Sequence, residues 1–479
     1  MQQQLPKISQ TQVERELCKR SFFFFVQYFW DTIIAEKPIW NWHIEYICDE
    51  LQQIGERVFK RQPKLYDYYI FNVPPGSSKS TIISEMYPLC CWTNDATQRF
   101  ICGSYASTPA EDLAEKCFNI YKSDKFLRLF PELVKNTSGG KTHFKNGLLG
   151  ERYTTSTGSG ITGVHAHQKI VDDPMTPSIA NSKTEREAAN KWISETLSSR
   201  NVDADVTVTI LVMQRLHEMD TTGYLLKNGL LRIFHVCIPA ELSEDVKPSR
   251  LKDKYVDGLF DPVRKSRTIL EALFAELGSY GFAGQLNQRP VPAGGGLIKK
   301  NWFTIVDKEN LPFNYNVSFQ GDTAYTEKQQ NDPSGFTAYF KHDNNIYITN
   351  NISVRKEFPD LCFWLPLHCA ENGYTQKSII RIEPKASGKS LVQQLRKESN
   401  LNIVEDFEPE GDKVSRVNTC SPKMEGGRIF LLRGHWNEDY LTELAAFPKG
   451  EHDEAVDNLT AIITRELING SNSGQYNFG

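Results

Sequence analysis

The stretch IFNVPPGSSKSTIISEMYPLCCW, Ile70 to Trp92, decides how the first half of the chain is read. Residues Tyr66 to Val73 (YDYYIFNV) are aromatic and β-branched, which is strand chemistry. From Ser80 onward the apolar residues recur at helical spacing. PPGSSKS therefore joins a strand to a helix N-terminus, where first-turn N–H groups and the helix dipole face an anion. The phosphate-loop pattern G-x-x-x-x-G-K-[ST] is met at Lys79 and Ser80, but its glycine positions hold Val73 and Ser78. Gly76 and the small Ser77 and Ser78 allow close backbone approach. Lys79 is placed to reach β/γ-phosphates, and Ser80, followed by Thr81, to hold Mg²⁺. The plain alternative is a strand-turn-helix with a solvated lysine.

Two further segments bear on that choice. HQKIVDDP (His167 to Pro174) is a short apolar strand ending in two acids. In a phosphate-loop site the first, Asp172, holds Mg²⁺ through water, and the next, Asp173, polarises the attacking water. The usual residue there is Glu, so the shorter Asp departs from the pattern; the bland reading is an Asx-Pro turn. VTVTILVMQRLHEMD (Val206 to Asp220) runs a β-branched strand into Gln214, Arg215, His217 and Asp220. Such a cluster at the carboxyl edge of a sheet is where α/β folds bind ligands, and Gln214 and Arg215 are candidates to sense a γ-phosphate. The alternative is a surface ion cluster. The upstream TGSGITG (Thr157 to Gly163) is a glycine-rich loop that means little by itself.

The whole chain sets the frame. Its 479 residues suggest two to four domains, and 39% apolar with 24% charged residues describes a globular protein with sizeable cores. A net charge of −4 excludes a uniformly basic nucleic-acid binder and leaves only a local patch for DNA. The ten cysteines include no C-x-x-C, which argues against zinc and for reduced thiols. FFFFVQYFW (Phe22 to Trp30) is too short to span a bilayer, follows a charged segment and lacks a cleavage site, so it reads as a packed amphipathic helix. PVPAGGGLIKK (Pro290 to Lys300) is the expected hinge and Asn469 to Gly479 a mobile tail.

After the hinge the pattern changes. NVSFQGDTAY (Asn316 to Tyr325) reads as a strand carrying Asp322, and Ser334 to Phe358 as two strands around HDNN. A helix follows, then SIIRIEPKASG (Ser378 to Gly388), a strand ending at Glu383, and a further helix, KSLVQQLRKES. HDEAVDNLTAIITRELI (His452 to Ile468) is a helix with Asp453 and Asp457 one turn apart on one face. Acids on a first strand, a fourth strand and a last helix are the layout of a ribonuclease-H fold. There, two Mg²⁺ or Mn²⁺ ions need clustered hard oxygen ligands. Taken singly, each acid is an ordinary solvated residue.

The order of these pieces resembles the large terminase subunit of tailed bacteriophages, the motor that packages DNA into a prohead. PPGSSKST resembles that family's deviant Walker A loop, GSGITGVHAHQKIVDDP its Walker B region and VMQRLHEMD its coupling motif. KPIWNWHIEYICDEL (Lys37 to Leu51) sits where the family has an adenine-contacting segment, with Trp42 and His43 as candidates. The nearest candidates for the family's arginine finger are Arg152 and Arg215. GDTAY…NDPSG, IEPKASGKSLVQQL and FPKGEHDEAVDNL resemble its three nuclease motifs. The resemblance makes Asp322, Glu383 and Asp457 metal ligands, with Asp453 and Glu454 supporting.

It implies an α/β protein with an N-terminal P-loop (ASCE-type) ATPase over residues 1–240, a linker segment over 241–310, and a ribonuclease-H-like nuclease over 311–468. ATP and Mg²⁺, with Mn²⁺ at the nuclease site, are the implied cofactors. Double-stranded DNA, a small terminase subunit, the portal and a homo-oligomeric ring, a pentamer, are the implied partners, with no membrane. The implied location is the host cytoplasm, transiently at the prohead portal and not in the mature virion. The rival readings are a helicase-like ATPase–nuclease of repair or recombination, and a degenerate ATPase kept as a DNA-binding scaffold.

Overall fold

A computed structural model describes residues 9–290, 297–323, 333–384, 386–406, 411–448, 450 and 452–469. Residues 291–296 of the expected hinge, 324–332 of the first nuclease motif and 470–479 of the tail lie outside the described residues. The chain divides into two units, Met1–Ala272 with Gly281–Val291, and Leu273–Tyr280 with Pro292–Gly479.

The first unit is built on eight strands: β1 Tyr68–Asn72, β2 Arg99–Ser104, β3 Ser138–Gly140, β4 His143–Lys145, β5 Glu151–Ser156, β6 Gln168–Asp172, β7 Val208–Met213 and β8 Ile233–Cys237. Their order is β3-β4-β5-β2-β6-β7-β1-β8. From β5 to β8 every pairing is parallel, and the short β3 and β4 add an antiparallel edge. Every residue of β1, β6 and β7 is buried. That explains why these strands read as continuous apolar runs: helices cover both faces of a parallel sheet.

The order β6-β7-β1 has a functional consequence. Parallel neighbours end on the same side, so whatever follows these three strands emerges at one carboxyl edge. The aromatic run forms the helix Phe22–Phe29, capped by Ser21, which buries Phe22, Phe25, Val26 and Phe29. Among the described residues, no helix is long and apolar enough to cross a membrane.

The second unit holds β9 Thr304–Val306, β10 Ser318–Asp322, β11 Ser334–His342, β12 Asn345–Val354, β13 Ile380–Ile382, β14 Ile403–Glu405 and β15 Ile429–Leu432. The sheet order is β14-β13-β10-β11-β12-β15-β9. β10, β11 and β12 form an antiparallel meander, and β13 and β14 add parallel strands beside β10. That five-strand arrangement is ribonuclease-H-like. β15 and β9 extend it in parallel. Ile298 and Phe303 lie in its core with Ile429 and Leu431, so the end of the expected hinge and the residues after it are part of this unit's packing.

Gly321 in β10 is where the sheet draws tight. A Cβ there would stand 2.7 Å from the Phe336 ring and 2.8 Å from Ile382 Cδ1, so only glycine fits beside the site acids.

Candidate functional site

The loop after β1 turns through two left-handed residues, Gly76 (φ 73) and Ser78 (φ 62). Ser78 occupies the position where the sequence pattern expects glycine, and the backbone takes the glycine conformation regardless. An L-residue in that region costs about 1–2 kcal/mol. Ser78→Gly is therefore expected to raise Tm by about 2–4 °C with nucleotide affinity retained, read by thermal unfolding and nucleotide titration. A fall in Tm would show that the hydroxyl is itself structural.

The loop is held from beneath by His43. Burial lowers its pKa to about 4, so the ring is neutral. Nδ1 faces Asn41 Nδ2 at 2.8 Å and Nε2 faces Ser77 O at 3.1 Å. A carbonyl only accepts, so the proton sits on Nε2. His43 thus positions the loop backbone, and Trp42 is turned to Phe260 O at 3.0 Å. Ser77 Oγ is buried with no hydrogen-bond partner among the described residues.

The expected acids meet this loop. Asp172 at the end of β6 accepts from Ser80 Oγ at 3.0 Å and from Ser84 Oγ at 2.5 Å. Burial first, then the neighbouring Asp173, push its carboxyl up to about 7. Such a carboxyl gains from a nearby cation. Lys79 is buried and its Nζ lies 3.1 Å from Asp173 Oδ2. Asp173 is itself left-handed (φ 41) and accepts from Gln214 N at 3.3 Å. Lys79, Ser80, Asp172, Asp173 and Gln214 are thus linked around one edge. Thr81 turns its hydroxyl toward Glu85.

Both arginine-finger candidates are held elsewhere. Arg215 Nε lies 3.0 Å from both oxygens of the fully buried Asp220. Asp220 in turn caps the helix Thr221–Lys227 through Gly223 N at 2.9 Å. A buried carboxylate needs a paired cation, and Arg215 supplies it. Arg152 is fully buried, with Nη1 on Thr154 Oγ1 at 2.7 Å and Nη2 on Ser84 O at 3.3 Å. His217 is likewise internal, its Nδ1 accepting from Met219 N at 2.9 Å.

In the second unit, register brings the acids toward one sheet end. Gly321 pairs with Ile382 in parallel, and Glu383 N donates to Gly321 O at 3.0 Å, so Asp322 and Glu383 are the next residues on adjacent strands. The helix Glu454–Ile463 lies across β11. Asp322 is close enough to raise the carboxyls of both Asp457 and Glu454, although burial is the larger cause for each.

Lys413 Nζ lies 2.9 Å from Asp457 Oδ2 and 2.6 Å from Asp453 Oδ2, and Arg416 Nη2 2.7 Å from Asp457 Oδ1. Among the described residues no group of three or more His, Cys, Asp or Glu is gathered as a metal cluster. Asp322, Glu383 and Asp457 are thus neighbours in the fold without forming a closed ligand set.

Three features here were not read from the sequence. Glu454 Oε2 and the Asn458 amide are buried without hydrogen-bond partners among the described residues, one turn apart beside Asp457. Gly335 pairs with Asp322 across the sheet, and a Cβ on it would stand 2.7 Å from Glu454 Cβ. Beneath the acids, Arg465 binds both Asp406 oxygens at 3.0 Å, Gln320 Oε1 at 2.9 Å and Tyr339 OH at 2.7 Å. This network ties the final turn to β10, to β11 and to the residue that follows β14.

Gly335→Ala must push the acidic helix off β11. Overpacking of this kind costs about 1–3 kcal/mol. DNA cleavage should fall while ATP turnover is unchanged, and unaltered cleavage would mean that helix placement is not limiting.

The family model described as Terminase RNaseH-like domain matches residues 374–466, which hold β13 to β15 and the Asp457 helix. This part of the chain is similar to a terminase ribonuclease-H-like domain. No curated protein sequence matches the chain. Similar solved structures include the large terminase of a thermophilic bacteriophage in complex with ADP, at 11% identity and TM-score 0.48, over 87% of this chain and 99% of that one. The HK97 bacteriophage large terminase aligns at 12% identity and TM-score 0.38, over 89% and 92%. The large terminase nuclease of thermophilic phage G20c with bound magnesium aligns at 13% identity and TM-score 0.28, over 36% and 99%. At such identities and scores these likenesses add no argument to the geometry.

Proposed function

We propose that this chain is the large subunit of a viral DNA-packaging terminase, an ATP-driven double-stranded DNA translocase that also cuts DNA with a metal-dependent endonuclease. The observation that carries this reading is one chain holding a terminase-type ribonuclease-H-like domain and a separate unit with a phosphate loop and two acids at one sheet edge. A small terminase subunit, the portal and a ring of copies are its expected partners, and the host cytoplasm and prohead portal its place of action. The helicase-like and scaffold readings have no observation of their own in the fold.

The first unit fits a nucleoside triphosphate with Mg²⁺: Ser77 Oγ lacks a partner among the described residues, two residues turn left-handed, and Asp172 and Ser80 are already paired. Ser80 and Asp172 would hold the metal, which neutralises phosphate charge when bound. Lys79 is paired with Asp173 before any phosphate arrives. Incoming phosphates compete for the ammonium and free Asp173 to orient and polarise the attacking water. Charging the site and activating the water are thereby linked.

In the second unit Asp322, Glu383 and Asp457 offer hard oxygen donors suited to Mg²⁺ or Mn²⁺. Asp453 and Glu454 are further candidates on the same helix. Divalent ions there would activate water and stabilise the leaving oxygen. Lys413 and Arg416 hold Asp457 in place from the other side.

The direct test is pure protein with plasmid in Mn²⁺, Mg²⁺ or EDTA, beside ATP turnover with and without DNA. Metal-dependent cleavage with DNA-stimulated turnover is expected. Absence of turnover would favour the scaffold, and ATP-dependent strand displacement the helicase-like enzyme.

A further inference from the structure

The segment Phe260 to Lys265 was not part of any motif, yet it forms a second wall against the phosphate loop. Phe260 packs its ring 5.1 Å from His43, the residue that holds Ser77. Its carbonyl accepts from Asn41 Nδ2 at 2.7 Å and Trp42 Nε1 at 3.0 Å. Asp261 is 1% exposed and shapes the turn: its carboxylate takes Arg264 N at 3.1 Å and Arg264 Nε at 2.5 Å, and its carbonyl takes Lys265 N at 2.8 Å. The turn is therefore rigid where a connecting segment need not be.

What that rigidity presents is charge. Lys265 Nζ stands 3.5 Å from where a Cβ on Gly76 would lie, over the left-handed turn of the loop. Arg264 Nη2 is buried with no hydrogen-bond partner among the described residues. Two cations crowd together here: Lys265 is half-buried, and burial and then Arg264 both lower its pKa, only partly offset by Asp261. Asp261 is already paired with Arg264 and offsets the Lys265 charge only in part, so like-charge repulsion and the solvation cost of burial remain at Lys265. An anion between them removes both penalties.

We infer that Lys265 is a nucleotide-binding residue: its ammonium contacts the phosphates of the bound nucleoside triphosphate from the wall opposite Lys79. Asp261 and Phe260 are positioning residues that set it there. The inference rests on the phosphate-loop reading above and adds a second cation, contributed by a segment far downstream in the chain.

The test is nucleotide binding by the full chain, with ATP, ADP, AMP and adenosine as probes and Lys265→Ala, Lys265→Arg and wild type as arms. A charge-assisted contact accounts for about 10- to 100-fold in affinity. Lys265→Ala should lose that factor for ATP and ADP but much less for AMP and none for adenosine. Lys265→Arg should recover most of it. A lost fold would lower all four affinities together and shift the melting curve, and that pattern overturns the inference. So does an Ala variant with wild-type discrimination between ATP and AMP. Failure of wild type itself to bind ATP would instead sink the phosphate-loop reading on which the inference depends.

Discussion

Replacing Lys79 with alanine is expected to cut ATP turnover by about a thousandfold or more, with metal-dependent plasmid cleavage retained. The size follows from what the ammonium does: a single cation on the transferring phosphoryl group contributes about 10³–10⁵ in rate. The geometry adds a second loss. Lys79 is buried and paired with Asp173 at 3.1 Å, and Asp173 lies beside Asp172, already raised by burial and by that neighbour. Without the ammonium, two adjacent acids are left facing the phosphates. Lys79→Arg keeps the charge but replaces a compact ammonium with a broad planar group, so turnover should stay low there too. All three nuclease acids belong to the other unit. ATPase activity near wild type in Lys79→Ala would mean that PPGSSKST is only a turn.

Asp322→Ala, Glu383→Ala and Asp457→Ala are each expected to remove DNA cleavage and leave ATP turnover largely intact. Each deletes an oxygen donor from an acidic cradle in which a divalent ion is the natural counter-ion. The Asp457 variant has a distinguishing signature. Its loss frees Lys413 and Arg416, which lie 2.9 and 2.7 Å from its two oxygens. A partly buried pair broken on one side costs several kcal/mol. Asp457→Ala should thus lower the melting temperature, whereas Asp322→Ala relieves repulsion and should leave it level or higher. Addition of Mn²⁺ should raise the melting temperature of wild type and fail to do so in the triple variant. Full cleavage by any single variant, or equal metal stabilisation in all, would break the assignment.

Much of this was legible because the chemistry is local. Strand, loop and helix are adjacent around Lys79, so composition and periodicity alone frame the loop. Asp172 and Asp173 end a strand of five buried residues, and that run is visible as letters. The Phe22–Phe29 helix was equally plain from its apolar run.

What could not be read depends on distant packing. Ser78 looks like a defect in the motif, yet its backbone is turned as glycine's would be, because His43 grips the preceding carbonyl. Arg215 reads as a candidate phosphate sensor or a member of an ion cluster, and the structure pairs it with the buried Asp220. Asp220 is near in sequence, so the pairing was accessible; its burial was not. Lys265, Asn458 and the Arg465 network gave no signal, since each gains its meaning from residues far along the chain. The resemblance implies a linker over residues 241–310, and within it β9 at 304–306 is hydrogen-bonded into the second sheet. A three-residue strand leaves too short a pattern to notice.

The strand order of the second unit also sets a clock. Asp322 lies on the first strand of the meander, but its parallel neighbour β13 follows only after β11 and β12, and the helix that brings Asp457 is later still. A ribosome adds about 5–20 residues per second, so on the order of ten seconds or more separates the emergence of the first acid from that of the last. For the first part of that interval β10 lacks its parallel neighbour β13, and for all of it β11 lacks the helix that crosses it. A chain released from the ribosome before that helix is made has the first acid in its strand and lacks the last one altogether.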